Sequence, residues 1–232
     1  MITSLGKLYI VSTPIGNLAD ITYRAVETLN TVDIIAAEDT RRSRVLLSNY
    51  NIKTKMISYF EHNKYRKIRK IKEILKAGKN VAVITDAGTP AISDPAYKLV
   101  REAISIGSII ESIPGPSALL ASIVSSGLPT DRFIFEGFLP PKKGRRKRME
   151  RFIGENATVV IYESPLRLKR TIKQLLEIIG DRPAVICREL TKLHEELIRG
   201  TLSSLVALLD NKKLKGECVL LIGKNDKNVY FE

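Results

Sequence analysis

VAVITDAGTPAISDP, residues 81–95, joins a short apolar run to a turn rich in glycine, proline and aspartate. An apolar run of this length is typical of a strand that is buried on both faces of a sheet. The turn leads into DPAYKLVREAISIG (94–107), whose apolar spacing predicts a helix. A strand, a tight turn and a helix in this order predict one βα unit of a parallel sheet.

The same alternation extends on both sides of this stretch. Short apolar runs predict strands at 7–13, 33–39, 54–60, 80–85 and 108–114. Amphipathic spacing predicts helices at 21–32, 41–50, 64–78 and 94–107. Strands that alternate with helices favour a mostly parallel sheet covered on both faces, so residues 1–114 are expected to form an N-terminal α/β domain.

The pattern changes after IPGPSALLASIVSSGLPT (113–130), which predicts a turn and a short helix. Strands are then expected at 132–139, 158–164, 182–190 and 217–223, and helices at 165–179 and 201–209. The connections between them are longer and less regular, which favours mixed strand directions. Residues 115–232 are therefore expected to form a second α/β domain with a mixed sheet.

Ligands of open α/β sheets bind at the carboxyl ends of strands, and four turns of the first domain qualify. They combine glycine, proline and small hydroxyl residues directly after apolar runs: TPIGN (13–17), AAEDTRR (36–42), TDAGTPAISDP (85–95) and IPGPSA (113–118). Such turns let the backbone approach a ligand closely, although any one of them alone is most simply a turn. Neither the G-x-G-x-x-G fingerprint nor a Walker lysine is present, which disfavours a pyrophosphate clamp. A nucleoside that carries an amino acid would suit these turns.

Composition restricts the partners and the compartment. The chain has 38 Lys plus Arg against 25 Asp plus Glu, a net charge of +13 that favours nucleic acid, an anionic membrane or a polycarboxylate substrate. No apolar run reaches the roughly 18 residues of a membrane span, and the N-terminus lacks a signal-peptide layout, so a cytoplasmic protein is expected. Cys187 and Cys218 are expected to be buried thiols, and no metal site is expected.

Seven motifs occur together and in order along nearly the whole chain. They are LYIVSTPIGNLADIT, IIAAEDTRRS, VITDAGTPAISDP, IPGPSA, LPTDRFIFEGFLP, IYESPLRL and RELTKLHEE. Together they resemble the ribosomal RNA small subunit methyltransferase I family, within the tetrapyrrole methylase fold. The chain departs from the family at Lys64, where an acidic residue is usual, and at Ala96, where glycine is common. Lys64 weakens any catalytic role for the neighbouring His62, which can equally be a structural residue.

The resemblance implies S-adenosylmethionine-dependent 2'-O-methylation of a cytidine in the decoding region of 16S rRNA. It further implies a two-domain tetrapyrrole-methylase-like fold with the cofactor in the interdomain cleft, the small ribosomal subunit as partner, and a homodimer. By motif match, the cofactor-binding residues are expected to be Pro14, Gly88, Thr89, Pro90, Ser93, Ser117, Ala118, Tyr162, Leu190 and Glu217.

A ribose hydroxyl is a weak nucleophile, so a positioned base is expected to accept its proton. The candidates are Asp94, Glu38, Asp39 and Glu163, with Asp94 preferred because it lies in the turn assigned to the cofactor. The alternative for Asp94 is an N-cap, with Pro95 at the first helical position. Asp39 and Thr40 can equally cap the next helix.

Two basic segments are expected to bind RNA phosphates. They contribute Arg41, Arg42, Arg44, Lys142, Lys143, Arg145, Arg146, Lys147 and Arg148. The alternative is a solvated charged surface. That alternative is preferred for KYRKIRKIKEILKAGK (64–79), where most lysines are expected to face solvent and the residues that share the opposite face are Ile68, Ile71, Ile74 and Leu75.

Two other functions stay open from the sequence. A tetrapyrrole methylase of the same fold would also use a basic cleft, because its substrate carries carboxylates. A noncatalytic RNA-binding or ribosome-assembly protein could keep the fold without turnover. Cofactor binding separates the second from an enzyme, and a nicotinamide oxidoreductase is disfavoured by the missing fingerprint.

Overall fold

The structure is a computed structural model that describes residues 4–61, 64–94 and 96–231. The chain divides into two compact units, Met1–Ser117 and Ala118–Glu232. Within the described residues, no helix has the length and apolar character needed to span a bilayer.

The first unit alternates strands and helices as predicted. Its strands are β1 (Leu8–Val11), β2 (Ile34–Ala37), β3 (Met56–Ser58), β4 (Val81–Ile84) and β5 (Ile110–Ile113). Its helices are α1 (Tyr23–Thr31), α2 (Thr40–Asn49), α3 (Lys64–Lys76) and α4 (Ala96–Ser105). The strands form one sheet in the order β3-β2-β4-β1-β5, and all neighbouring strands are parallel.

Both faces of this sheet are buried, which explains the continuous apolar runs. On one face, Leu8, Val81 and Val83 pack in a core cluster with Ile71 of α3 and Leu99 of α4. On the other face, a second cluster joins Val11, Ala82 and Ile84 to residues of α1 and α2. Because side chains alternate between the two faces along β4, successive residues pack in two different core clusters.

The strand order creates a switch point between β1 and β4. The chain leaves β1 for β2 on one side of this pair, whereas it leaves β4 for β5 on the other side. Ligands of open α/β sheets bind at the carboxyl ends of strands at such a point. The turns that follow β1 and β4 are TPIGN and TDAGTPAISDP. The strand order therefore predicts that a ligand binds at these two turns.

The second unit has the expected mixed sheet. Its elements in chain order are α5 (Ala118–Ser126), β6 (Phe133–Phe138), α6 (Arg145–Glu150), β7 (Thr158–Glu163), α7 (Pro165–Ile179), β8 (Pro183–Arg188), β9 (Glu196–Thr201), α8 (Leu202–Asn211) and β10 (Cys218–Ile222). The sheet order is β6-β7-β10-β8-β9, in which only β6 and β7 are parallel. Residues of β7, β8, β10, α7 and α8 form its apolar core. The two-sheet α/β fold class is thus confirmed.

Two elements were not predicted from the sequence. β9 is an edge strand next to β8, and its ELIRGT sequence is half-exposed along its length. α6 lies in the second basic segment, for which no helix was predicted, and it is anchored by buried Arg145 and Met149 one turn apart. Both elements carry charged residues, which interrupt the periodic spacing of apolar residues from which strands and helices are predicted.

Candidate active site

Three of the four turns meet at the carboxyl edge of the first sheet. Thr13 and Gly88 form a reciprocal backbone pair, with N–H to O=C distances of 2.9 and 3.0 Å. The hydroxyls of Ser12 and Thr89 lie 2.9 Å apart, and the Thr89 hydroxyl donates to the carbonyl of Pro116 at 3.3 Å. Thr89 therefore ties the turns after β1, β4 and β5 together.

The fourth turn joins the same edge through carboxylates. The Thr85 hydroxyl donates to Glu38 Oε2 at 2.5 Å, and the Asp39 N–H donates to Asp86 Oδ1 at 3.0 Å. Arg42 of α2 pairs with Asp86 at 3.1 Å. All four turns singled out in the sequence thus lie along one edge of the sheet.

The turn after β4 has an unusual backbone that Asp94 holds in place. Gly88, Ala91 and Ser93 have φ values of 83°, 73° and 67°, in the left-handed region. Both carboxylate oxygens of Asp94 accept the Ala91 N–H at 2.9 Å, and Oδ1 also accepts the Ala96 N–H at 2.8 Å. Non-glycine residues in this region cost energy and cluster at ligand sites, so the turn has the character of a binding loop.

Two glycines allow the close approach of these turns. A Cβ on Gly88 would lie 3.4 Å from Cγ2 of Ile15, and a Cβ on Gly115 would lie 3.0 Å from Cβ of Ser12. The result is a cradle of small residues and backbone groups. This donor set fits a nucleoside with an amino-acid moiety, which backbone N–H and C=O groups can hydrogen-bond.

Gly88→Ala is expected to raise the dissociation constant for S-adenosylmethionine roughly ten-fold, because a side chain at positive φ displaces the turn. Titration calorimetry measures this change. Gly154→Ala is the matched control, since Gly154 has φ 72° in the second unit and its Cβ would meet nothing within 4 Å. Equal loss of cofactor affinity in both variants, or in neither, would contradict a role of the Gly88 turn in binding.

The candidate bases of the first unit differ in how their carboxylates are engaged. Asp39 caps α2 by accepting the Arg41 N–H at 2.8 Å, and hydrogen bonds from Arg41 lower its pKa to about 2. Burial raises the pKa of Asp94 above its usual value, against the opposing effect of its two backbone hydrogen bonds. Burial also raises the pKa of Asp86, which was not a candidate in the sequence. Asp94 is therefore the better proton acceptor of the two original aspartates near neutral pH.

Glu163 lies in a buried cluster of the second unit. One oxygen accepts from the Thr171 hydroxyl at 2.6 Å and lies 3.5 Å from Arg145, and the other accepts the Ser164 N–H at 2.8 Å and pairs with Arg167 at 2.7 Å. The side chain of Glu163 has no exposed surface. Its carboxylate is fully engaged, so the geometry supports a structural role and not that of a base.

The other expected cofactor residues occupy varied positions. In the first unit, Pro14 and Pro90 are buried, whereas Ser93 is exposed. Ser117 is half-buried and ends that unit, and Ala118 begins α5.

In the second unit, Tyr162 packs edge-on against Phe135 and Phe138, with ring centroids 4.9 and 5.6 Å away. Leu190 is buried between Glu189 and Thr191, which both have positive φ, so this loop is strained like the turn after β4. Glu217 is exposed and pairs with Lys192 at 2.9 Å.

Most of the basic residues assigned to RNA are accessible. Exposed members are Arg41, Arg42, Arg44, Lys142, Lys143, Arg146 and Lys147, and Arg148 is half-exposed and paired with Glu136. Arg145 is the exception and corrects the prediction. It is only 4% exposed and donates to Gln174, Thr171 and the Pro140 carbonyl as well as facing Glu163, so its guanidinium does not face solvent.

Some site residues fall outside the sequence-based assignment. Ser12, Thr85 and Asp86 connect the turns, yet none was a candidate, although each directly follows or ends an apolar strand at the selected edge. His62 and Pro95, which entered the predictions as a possible base and as a first helical residue, lie outside the described residues.

Comparisons with known proteins identify the family. Residues 7–206 match the family described as Tetrapyrrole (Corrin/Porphyrin) Methylases. Ribosomal RNA small subunit methyltransferase I of Thermotoga maritima is 51% identical over 221 residues, which cover 95% of this chain and 100% of that relative. The Bacillus subtilis protein of the same name is 44% identical over 229 residues, which cover 98% of this chain and 78% of that relative.

Solved structures show a similar fold. A cobalamin biosynthetic enzyme, cobalt precorrin-4 methyltransferase, matches with a TM-score of 0.71 and 18% identity, covering 94% of both chains. Diphthine synthase matches with a TM-score of 0.74 and 14% identity, covering 94% of this chain and 90% of that one. At these identities the likeness concerns the fold alone.

Proposed function

The chain belongs to the ribosomal RNA small subunit methyltransferase I family of the tetrapyrrole methylases, and from this premise we propose the reaction that it catalyses. It methylates small-subunit rRNA with S-adenosylmethionine as the methyl donor, and the acceptor is the 2'-hydroxyl of a cytidine in the decoding region of 16S rRNA. The observation that carries this proposal is the close match, over most of the chain, to relatives with that name. The convergence of four small-residue turns at one sheet edge supports it, because such an edge suits a nucleoside ligand.

The turns of the first unit would hold the cofactor through their backbone. Gly88 and Gly115 keep side chains out of the cradle, and the Thr13–Gly88 and Ser12–Thr89 contacts fix the turns relative to each other. S-adenosylmethionine supplies a methyl group on a positively charged sulfur, which is electrophilic without covalent catalysis. The protein must therefore bind and orient both reactants, with reacting atoms about 3 to 3.5 Å apart.

Asp94 is the proposed general base. As the oxygen–methyl bond formed and the methyl–sulfur bond broke to leave a neutral thioether, the Asp94 carboxylate would accept the proton that the ribose oxygen loses. Burial raises the pKa of Asp94, which makes its carboxylate a stronger base than an exposed aspartate, and among the described residues its Oδ2 accepts one backbone N–H, that of Ala91. Asp39 is less suited because hydrogen bonds from Arg41 lower its pKa to about 2, and Glu163 because both of its oxygens serve a buried ion cluster. Glu38 is the remaining alternative, since its carboxylate lies at the same edge, where Oε2 accepts a hydrogen bond from the Thr85 hydroxyl.

Exposed arginines stand beside this edge and would contact rRNA phosphates. Arg41 and Arg42 occupy the first turn of α2, which follows the short turn after β2, and their side chains are 87% and 72% exposed. The basic segment from Lys142 to Lys147 offers a second set in the other unit, apart from buried Arg145. Phosphate contacts of this kind position RNA and make affinity salt-dependent. The homodimer implied by the resemblance stays a prediction, which analytical ultracentrifugation checks.

The substrate class is tested by comparing two methyl acceptors in separate reactions. The protein is incubated with tritiated S-adenosylmethionine and either small subunits that lack the modification or uroporphyrinogen. Label in rRNA alone is expected. Label in the tetrapyrrole would overturn the proposal in favour of the fold's other chemistry, and cofactor binding with no label in either acceptor would leave a noncatalytic RNA-binding protein as the better account.

A further inference from the structure

An open groove lies between α3 and α4 on the outer surface of the first unit. The two helices pack side by side on one face of the sheet through Ile71, Leu75 and Leu99. Between their outward faces is a groove of about 710 Å³, lined by five Lys or Arg side chains against two Glu. The groove is thus strongly basic, whereas the packing of both helices depends on their opposite, apolar faces.

Two exposed tyrosines stand at one end of this groove. Tyr65 is the second residue of α3 and is 64% exposed, and Tyr97 is the second residue of α4 and is 57% exposed. Because α3 follows β3 and α4 follows β4, both first turns lie at the carboxyl edge of the sheet, where the candidate active site is. The groove therefore begins at the active-site edge and runs away from it along about 20 Å of helix.

Each of the two tyrosines has a cationic side chain beside it. Lys98 Nζ lies 5.0 Å from the ring centroid of Tyr65 and donates to its hydroxyl at 2.9 Å. Arg101 Nη1 lies 3.5 Å from the Tyr97 hydroxyl. Pairs of flat rings with cations beside them offer both a stacking face and a phosphate partner.

Some cations of the groove form ion pairs, whereas others form none with the carboxylates that the structure describes. Lys72 pairs with Glu102 at 2.7 Å and Lys76 pairs with Glu73 at 3.2 Å. Arg69 and Arg101 are exposed, and among the described residues neither forms an ion pair with a carboxylate. A solvated helix surface explains scattered lysines, but it does not explain exposed tyrosines at the site-facing end of a groove with unpaired arginines.

We propose that the α3–α4 groove binds the sugar–phosphate backbone of the rRNA segment that flanks the methylated nucleotide. Arg69 and Arg101 contact phosphates of this segment. Tyr65 and Tyr97 stack on the bases next to the methylated nucleotide. This inference rests on the proposed function, because it assumes an RNA substrate at the adjoining edge. It gives α3 a role beyond the solvated surface expected from its sequence.

The double variant Arg69→Gln with Arg101→Gln tests this surface. Binding of a fluorescein-labelled single-stranded 16S rRNA fragment that contains the target cytidine is measured by anisotropy as a function of salt. Loss of two phosphate contacts is expected to weaken binding roughly ten-fold and to reduce the slope of log K against log salt by about 1.4. Lys53→Gln with Lys55→Gln is the matched control, since it removes two exposed charges that precede β3, at the opposite edge of the same sheet.

Two further variants separate stacking from charge. Tyr65→Ala is expected to weaken RNA binding roughly ten-fold, whereas Tyr65→Phe keeps the ring and is expected to bind as wild type does. All variants are expected to bind S-adenosylmethionine normally.

Salt slopes that match the control pair would overturn the groove proposal, even if the wild-type protein methylates rRNA. Unchanged RNA slopes together with weaker binding to whole subunits would also overturn it, by assigning the groove to a ribosomal protein. Failure of the wild-type protein to methylate rRNA would instead refute the proposed function, independently of these slopes.

Discussion

Asp94→Asn is expected to lower kcat for methyl transfer by ~10²- to 10⁴-fold, the usual contribution of a general base. The amide has nearly the shape of the carboxylate and can still accept the Ala96 N–H, which Asp94 Oδ1 accepts at 2.8 Å. It cannot accept the ribose proton. The dissociation constant for S-adenosylmethionine is therefore expected to change less than about ten-fold, so that the loss falls on kcat.

The pH profile adds a second signature of Asp94. A general base acts in its deprotonated form, so log kcat is expected to fall with unit slope as pH drops below the pKa of this carboxyl. Burial raises the pKa of Asp94, so the fall lies at higher pH than it would for an exposed aspartate. The variant Asp94→Asn is expected to lose this slope.

Single-turnover rates with saturating subunits measure both effects. Glu27→Gln serves as the control, because it makes the same change on an exposed carboxylate of α1. If Asp94→Asn keeps a normal kcat, or loses cofactor affinity in proportion to its rate, then Asp94 only anchors the loop between Gly88 and Ala96. Glu38→Gln would then be the next variant to test.

Glu163→Ala is expected to lower the free energy of unfolding by about 3 to 5 kcal/mol, because it leaves a buried guanidinium without its partner. Arg145 is 4% exposed, and burial lowers its pKa by disfavouring the charged form, while the charge of Glu163 opposes that shift. The Ser164 N–H would lose its acceptor as well, whereas the Thr171 hydroxyl would keep the Arg167 carbonyl, at 2.9 Å, as an acceptor. Urea unfolding followed by circular dichroism measures the loss.

A paired replacement shows whether the charge is the cause. Glu163→Leu with Arg145→Met removes both buried charges, so it is expected to recover most of the stability that Glu163→Ala loses. Glu150→Ala is the matched control from the same region, because its i,i+4 pair with Arg146 is exposed and contributes little. A loss in Glu163→Ala no larger than in Glu150→Ala would contradict the account of this cluster.

The fold was largely predictable because its signals are local. Four-residue apolar runs such as Val81–Ile84 are buried on both faces, and each is followed by an amphipathic helix. β9 was missed because an edge strand needs no continuous apolar run. Its Glu196 pairs with Arg188 of the neighbouring strand at 3.3 Å, and a charged pair across strands leaves no periodic pattern in one segment.

The site was predictable only in part because it depends on contacts between distant segments. The sequence indicated which turns follow strands, but the Glu38–Thr85 and Ser12–Thr89 contacts join residues far apart in the chain. Arg145 shows the opposite error. It lies among exposed lysines and arginines. Its spacing of four from Met149, however, puts it on the buried face of α6, where it faces Glu163. A helix predicted over that basic segment would have placed Arg145 on the same buried face as Met149.

The most direct test of the account is the position of the transferred methyl group. Small subunits that lack the modification are incubated with the protein and tritiated S-adenosylmethionine, and the labelled nucleotide and its methylated atom are mapped. The account predicts label on the ribose 2'-oxygen of one cytidine in the decoding region. Label on a base, on another part of the rRNA, or on neither subunits nor free rRNA despite cofactor binding would contradict it.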